Sequence, residues 1–371
     1  MKLGLTPKNQ LKPGSLIVVD QFQPAMPIMM GFGGGFSQPA ETPHGQLVKA
    51  SAEDAGFKGN LVPSPNDIHF TDNPYETRNR QLAILMMQKD LKPEEYKSML
   101  GERAETGQIS LLHKTSERLQ GLTEAGTKNS AVNFSQGSSK ASSVMSAYTG
   151  ALMSPESLDN AARAFGLSSE KLSSQDPNVS GPERAKLHQG MTDLISQRLD
   201  SSRSLQLSRQ NYDKSVRDFE SHNNSVVVSA GNEGDVAASL KQDAGGHGIR
   251  VPKDFEDNIL VNSQVTAVGA LEGEGQASKV AAYSSRIAEV DLYAKGTITD
   301  PLSPDRPAQG TSFAAPRVAA AMATLHGKNP TMTSAQVEGL LKKQLGRNLS
   351  GANVPVLDLD KTRAFLGSQS F

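Results

Sequence analysis

The chain contains no cysteine, which excludes disulfides, thiolate metal ligands and a cysteine nucleophile together. That absence does not decide the compartment. An excess of charge of either sign is missing too, because 38 Lys and Arg against 39 Asp and Glu leave a formal charge of -1 and a pI near 6.7. No global field draws in nucleic acid or an anionic membrane, so neither is expected as a partner and any ligand must be met through a local site. No run reaches the about 18 consecutive apolar residues that a membrane-spanning helix needs. The opening Met1-Lys2-Leu3-Gly4-Leu5-Thr6-Pro7-Lys8 also lacks the apolar core of a signal peptide, and the expectation is a cytoplasmic protein or one exported without such a signal.

Against these absences stand 371 residues, 36% of them hydrophobic, enough for one large domain with a substantial core. Leu16-Ile17-Val18-Val19, Ser130 to Phe134, Ser225-Val226-Val227-Val228-Ser229-Ala230 and Val265 to Ala270 read as strands, the first and third as fully buried ones,. Asn66 to Phe70 reads as a further short strand, and Val354 to Leu359 as a closing one. Helices are expected from His44 to about Gly56, Glu76 to about Gln88, Pro93 to Leu100, and Thr333 or Ser334 through Leu345. From Ser202 to Glu220, Leu205, Tyr212, Val216 and Phe219 share one helix face,. Residues 101–130 read as polar and loop-like, with Ile109-Ser110-Leu111-Leu112 as a short strand or a turn of helix. Residues 138–200 read as a serine-rich, irregular insertion with helical pieces at Ser157–Phe165 and Arg184–Leu199. The implied architecture is a single α/β domain over residues 1–371, a mostly parallel central sheet flanked by helices in three layers.

The glycine-rich loop within residues 23–43 has neither a P-loop Lys-Ser/Thr pair nor a strand-glycine-helix pattern, so no nucleotide site is expected there. Acidic residues nowhere alternate as in a calcium loop. Four element ends do carry candidate chemistry. Asp20 closes the first strand, at the edge where open α/β sheets place their sites, although an aspartate there also serves as a turn former. His44 opens a helix, a position that disfavours imidazolium and by itself suggests a surface residue. Gly231-Asn232 follows the third strand as a turn would, and puts an amide at the same sheet end as Asp20. Gln309-Gly310-Thr311-Ser312 leads sharply into an alanine-rich helix. A serine there is an ordinary cap, yet the free amides and the helix dipole also favour developing negative charge beside its hydroxyl.

The run from Gly310 to Ala319 resembles the nucleophile motif of the subtilisin-like serine proteases, Gly-Thr-Ser-x-Ala-Ala-Pro-x-Val-Ala, over nearly every position. Val226 to Gly234 is similar to that family's Val-Val-Ala-Ala-Ala-Gly-Asn-Glu-Gly, and the stretch Ser130 to Gly137 to its Val-Ile-Asn-Met-Ser-Leu-Gly. His44-Gly45 matches the start of His-Gly-Thr, with Gln46 in place of the threonine, and Asp20-Gln21-Phe22 stands where Asp-Thr-Gly is usual. The Val-Gly-Ala, Phe-Ser-Ser and Ala-Pro-Gly elements have counterparts at 268–270, 283–285 and 294–296, with Lys295 replacing the proline. The resemblance runs from about residue 14 to residue 360, with 138–200 unmatched, and Asp20, His44, Asn232 and Ser312 follow in the family's order.

That resemblance implies a serine endopeptidase, and no cofactor or metal site is read from the residues. Ser312 would be the nucleophile, His44 its base and Asp20 the orienter of that base, with Asn232 and the Ser312 amide as oxyanion donors. The edge of the strand that begins at Ser130 would receive the polypeptide substrate as an added strand, and Ser135, Gln136 and Gly137 at its end would wall the pocket for the residue before the scissile bond. The alternative is a catalytically impaired fold of the same kind, kept as a peptide- or protein-binding module. His247-Gly248 is a rival base, out of family order and with no helix pattern after it; His188, His222 and His326 have weaker claims, and His69 and His113 read as packing or surface residues. Only 19 residues precede Asp20, too few for the folding and inhibitory pro-segment of secreted members, so no propeptide domain is expected. A separate inhibitor or regulator chain, the insertion, or regulated export are the candidate restraints.

Overall fold

The computed structural model describes residues 11–20, 22, 42–65, 73–242, 248–273, 275–349 and 355–368. Its strands are β1 (Leu16–Asp20), β2 (Leu61–Pro65), β3 (Ala131–Phe134), β4 (Ser225–Ser229), β5 (Thr266–Glu272), β6 (Lys279–Val280), β7 (Leu292–Lys295), β8 (Thr297–Asp300), β9 (Ser303–Gln309), β10 (Gly346–Asn348) and β11 (Pro355–Leu357). The helices are α1 (His44–Asp54), α2 (Pro74–Leu85), α3 (Pro93–Glu124), α4 (Lys140–Ala151), α5 (Pro155–Ala164), α6 (Ser169–Leu172), α7 (Pro177–Ser201), α8 (Arg203–Glu220), α9 (Gly234–Gln242), α10 (Thr311–Lys328), α11 (Ser334–Leu340) and α12 (Leu359–Ser368).

Seven strands run parallel in the order β11-β7-β5-β4-β3-β1-β2. β10 joins β11 and β6 joins β5, both antiparallel, while β8 and β9 form a separate hairpin. Successive side chains of a strand point to opposite faces, and here both faces are covered. Leu16 and Val18 of β1 and Val227 of β4 pack with α1 and α10, whereas Ile17, Val19, Val226 and Val228 pack with α3, α4, α7 and α8. This double burial is why β1 and β4 are apolar runs without alternation: every residue in them is buried,. The three-layer α/β expectation therefore stands.

The largest departure from the sequence reading lies at residues 101–130, expected to be loop-like. They continue the helix begun at Pro93, so that α3 runs unbroken to Glu124. Leu100, Ile109, Leu112, Leu119 and Leu122 are buried along it at helical spacing. The intervening Gly101, Gly107, Gly121, serines and threonines dilute that signal, because glycine is a weak helix former. Packing against α2, α7 and α8 supplies what local propensity does not,; Gly101, for instance, lies against the side chain of Arg198. Residues 138–200 are likewise more regular than expected, folding into α4 to α7. The strand expected at Asn66–Phe70 lies outside the described residues; the strand pairing with β1 is β2, just before it. α11 ends at Leu340 and passes into a wider π-helical turn over Leu341–Leu345, and β11 is followed at once by α12.

Candidate active site

Because the seven strands are parallel, their carboxyl ends lie along one edge of the sheet, and the first turns of the helices that follow converge there. β1 delivers Asp20 to that edge, buried to 1% exposure. α1 begins at His44 and α10 at Thr311, which puts Ser312 in the first turn of its helix. His44 Nδ1 stands 2.8 Å from Asp20 Oδ1, and its Nε2 stands 3.0 Å from Ser312 Oγ. An ionised carboxylate can only accept, so the proton belongs on Nδ1 and the lone pair of Nε2 faces the serine hydroxyl. The ring of Phe313 lies against the imidazole, centroids 5.4 Å apart. His44 is half-exposed, its side chain retaining 39% of its accessible surface.

The first turn of α10 is held by contacts that its own sequence makes necessary. Pro316 has no N–H, so the carbonyl of Ser312, four residues earlier, loses its intrahelical donor. The Ser135 hydroxyl takes that place, donating to Ser312 O at 2.8 Å, and Asn133 Nδ2 donates in turn to Ser135 Oγ. Ser51 of α1 donates to the Phe313 carbonyl at 2.6 Å. One turn further on, the fully buried Arg317 pairs with Asp54 at the end of α1 and donates to Thr297 O at 3.1 Å. The helix bearing the serine is thereby fixed to the last turn of the helix that begins at the histidine.

Asn232 follows β4. Its Oδ1 accepts from the Thr311 N–H at 2.8 Å and from the Thr311 hydroxyl at 2.9 Å. A backbone N–H can only donate, so the atom facing it is the amide oxygen and Nδ2 is directed elsewhere. Gly310 shows where. A Cβ added at Gly310 would lie 2.8 Å from Ser312 Oγ, 3.3 Å from Asn232 Nδ2 and 3.7 Å from Ser312 N. The missing side chain leaves a small space bordered by the serine hydroxyl, a side-chain amide and an amide of the helix's first turn. Next to it, burial pushes the Glu233 carboxyl above its ordinary range while Ser285 Oγ donates to it at 2.9 Å.

Of the segment Ser135-Gln136-Gly137, Ser135 turns its hydroxyl inward, as described. The expectation that a substrate adds to the edge of β3 needs a correction, because β3 pairs with β1 on one side and β4 on the other through Phe134. Only the backbone past the paired stretch, from Ser135 onward, is placed to meet an added strand. Thr311 was not singled out in the sequence; its place in Gly-Thr-Ser is the signal that could have marked it as the residue orienting Asn232. Of the other histidines, His113 pairs with Glu117 on α3, the ring of His188 lies tilted against that of Tyr148, His222 is half-buried and bonded to Asp218 O, and His326 is buried. His69 and the rival base His247 lie outside the described residues. Among the described residues no three His, Asp or Glu side chains converge as metal ligands, and no helix is long and apolar enough to cross a membrane.

The sequence profile of the subtilase family matches residues 127–357, well over half of the chain. The chain belongs to the subtilase family. This subtilase is accordingly a serine protease. The matched span contains Ser135–Gly137, Asn232 and Ser312, and leaves Asp20 and His44 outside it. No curated protein matches the subtilase in sequence. Among solved structures it is similar to a cold-adapted subtilisin-like serine proteinase, 13% identical with a TM-score of 0.40 over 92% of this chain and 87% of the other. It is similar also to a lanthipeptide protease, 12% identical with a TM-score of 0.45 over 96% and 90% of the two chains. A third is MycP1, described as an essential component of the type VII (ESX-1) secretion system, 14% identical with a TM-score of 0.43 over 97% and 86%.

Proposed function

We propose that this subtilase is an endopeptidase that cleaves polypeptides through an acyl-enzyme, with Ser312 as nucleophile, His44 as general base and acid, and Asp20 as the group that orients and charges the imidazole. The observation that carries the reading is the continuous line from Asp20 Oδ1 through both ring nitrogens of His44 to Ser312 Oγ, at 2.8 and 3.0 Å. A serine hydroxyl is a poor nucleophile until a base within such reach takes its proton. In the first half-reaction Ser312 Oγ bonds to the scissile carbonyl carbon as its proton passes to His44 Nε2. The imidazolium, stabilised by Asp20, then protonates the leaving amine as the C–N bond breaks. Water attacks the ester by the same route in reverse, giving its proton to His44, and the peptide carboxylate departs.

Negative charge on the carbonyl oxygen would settle in the space kept open by Gly310, where Asn232 Nδ2 and the Ser312 N–H would donate,. The Thr311 contacts aim the Asn232 amide before any substrate arrives. The substrate backbone would lie along Ser135, Gln136 and Gly137. A fluorophosphonate probe tests the reading: wild-type protein is expected to be labelled on Ser312 and to cleave a peptide library, and Ser312→Ala to do neither. Unlabelled, freshly purified wild type at pH 8 would sink it.

A further inference from the structure

Beside the segment proposed to hold the substrate lies a cavity of about 250 Å³ walled by α3 and α4, with Arg103, Asn79, Ser138, Ser142, Ser143 and Ser146 contributing its polar lining. The volume is several times the roughly 30 Å³ that a water takes up in the liquid, so a side chain fits. Arg103 is half-buried, and its removal from water draws its proton affinity down, with only the Tyr96 phenol and no carboxylate opposing the fall. The carboxylates flanking it in sequence are committed elsewhere: Glu102 accepts two bonds from Arg78 at 2.6 and 3.0 Å, and Glu105 accepts from Arg198 at 2.7 Å and from Ser202. Among the described residues no carboxylate pairs with Arg103. A guanidinium that has lost water without gaining a carboxylate is costly unless a ligand completes it. Ser142 and Ser143 donate to the Ser139 carbonyl at 3.0 and 2.9 Å, so the hydroxyls placed to donate to an acid beside Arg103 are those of Ser138 and Ser146,.

The cavity is also in the right place. Ser138 in its wall directly follows Gly137, and the Ser138 carbonyl is pinned by the Ile259 N–H at 2.8 Å. Gly137 itself is pressed against Asn258, where an added Cβ would meet Nδ2 at 2.3 Å. The backbone from Ser135 to Ser138 is therefore a fixed rail running from the contact with Ser312 to the mouth of the cavity. We infer that Arg103 and the surrounding serines form a specificity pocket for one acidic side chain of the polypeptide substrate, a few residues away from the scissile bond. A planar guanidinium takes a carboxylate in two parallel hydrogen bonds, which suits Asp or Glu over the neutral amides. The inference rests on the proteolytic reading above. α3 lies outside the span matched to the family and α4 inside it.

Peptides cleaved by wild type are remade in pairs carrying Glu or Gln at each position flanking the scissile bond. One position is expected at which Glu raises kcat/KM over Gln by about tenfold or more, mainly through KM, as one charge-assisted contact would give. Arg103→Gln should bring that ratio to about one, Arg103→Glu should invert it, and Arg103→Lys should keep part of it. Equal rates for every pair with wild type overturn the inference while leaving the protease reading intact, and this arm needs no variant to fold. A ratio unchanged in Arg103→Gln overturns it as well. So does a wild-type ratio of one accompanied by an Arg103-dependent rise in melting temperature on adding inorganic phosphate, which would assign the cavity to a free anion. Absence of both cleavage and Ser312 labelling defeats the protease reading and takes this inference with it.

Discussion

Two histidine–serine pairs sit at opposite ends of the same sheet. At the carboxyl end His44 Nε2 meets Ser312 Oγ at 3.0 Å; at the amino end of β4 His326 Nε2 meets Ser225 Oγ at 2.8 Å. By distance alone the second pair is the better one. It differs in everything else. His326 and Ser225 are fully buried, and His326 Nδ1 has no partner among the described residues. Ser225 donates to Ser334 Oγ at 3.0 Å, so His326 must donate to Ser225 rather than accept its proton. Ser334 bonds on to Glu220. In the first pair a carboxylate sets the histidine to accept, the histidine is half-exposed, and the serine borders the space that Gly310 keeps open. Proximity of imidazole and hydroxyl is thus cheap; the direction of the proton and access to a carbonyl are what separate a nucleophile from a core hydrogen bond.

The sharpest way to break this comparison is to remove each serine and histidine in turn. Ser312→Ala and His44→Ala are expected to lower kcat for peptide hydrolysis by about 10⁶, and Asp20→Ala by about 10⁴, the sizes seen when members of an Asp-His-Ser unit are lost. Ser225→Ala should leave kcat within a fewfold. Comparable losses from Ser225→Ala in a protein that still melts cooperatively would erase the distinction.

A smaller effect tests the proposed role of the amides that border the Gly310 space beside the first pair. Asn232→Ala is expected to cost about 10²–10³ in kcat with KM little changed, because the donor acts on charge that develops in the transition state. A rise in KM at constant kcat would instead place Asn232 in ground-state binding.

The smallest effects concern the buried pair and pH. Burial lowers His326 to about 4 and raises Glu220 to about 7. The depressed histidine contributes stability that is present above about 6.5 and is lost as pH falls through about 4. The raised carboxyl contributes stability that is full below about 4.5 and is lost as pH rises through about 7. Denaturant titrations of His326→Gln should therefore show a loss between pH 6.5 and 4 smaller than wild type by roughly 2 kcal/mol, and Glu220→Gln should flatten the loss between pH 4.5 and 7.5 by a similar order. Curves parallel to wild type would show that neither group titrates across folding.

How far the site was legible depended on whether its signal was local. Ser312 and Asn232 each sit in a contiguous run that crosses from strand or loop into a helix or turn, so neighbouring residues announce them. Asp20 and His44 have poor surroundings in sequence, with Gln21-Phe22 and Gln46 where the family pattern differs, and the family profile does not reach them. Their claim comes from distances across 24 and 268 positions of chain. The long helix α3 escaped because its glycines and hydroxyl residues hide a pattern that only packing on α2, α7 and α8 makes stable.

The sequence by itself determined the layered α/β architecture, since apolar runs without alternation require strands buried on both faces, and it determined that a hydroxyl stands at the start of an alanine-rich helix. It determined as well that Pro316 would leave a carbonyl of that helix without its donor. Only the tertiary structure decided that Ser135 fills this vacancy, that the two ring nitrogens of His44 reach Asp20 and Ser312, and that Arg103 ends near the backbone of Ser138. The reason is physical: secondary structure follows from interactions within a few residues, while proton direction, desolvation and access depend on which distant groups the parallel sheet and its covering helices bring together.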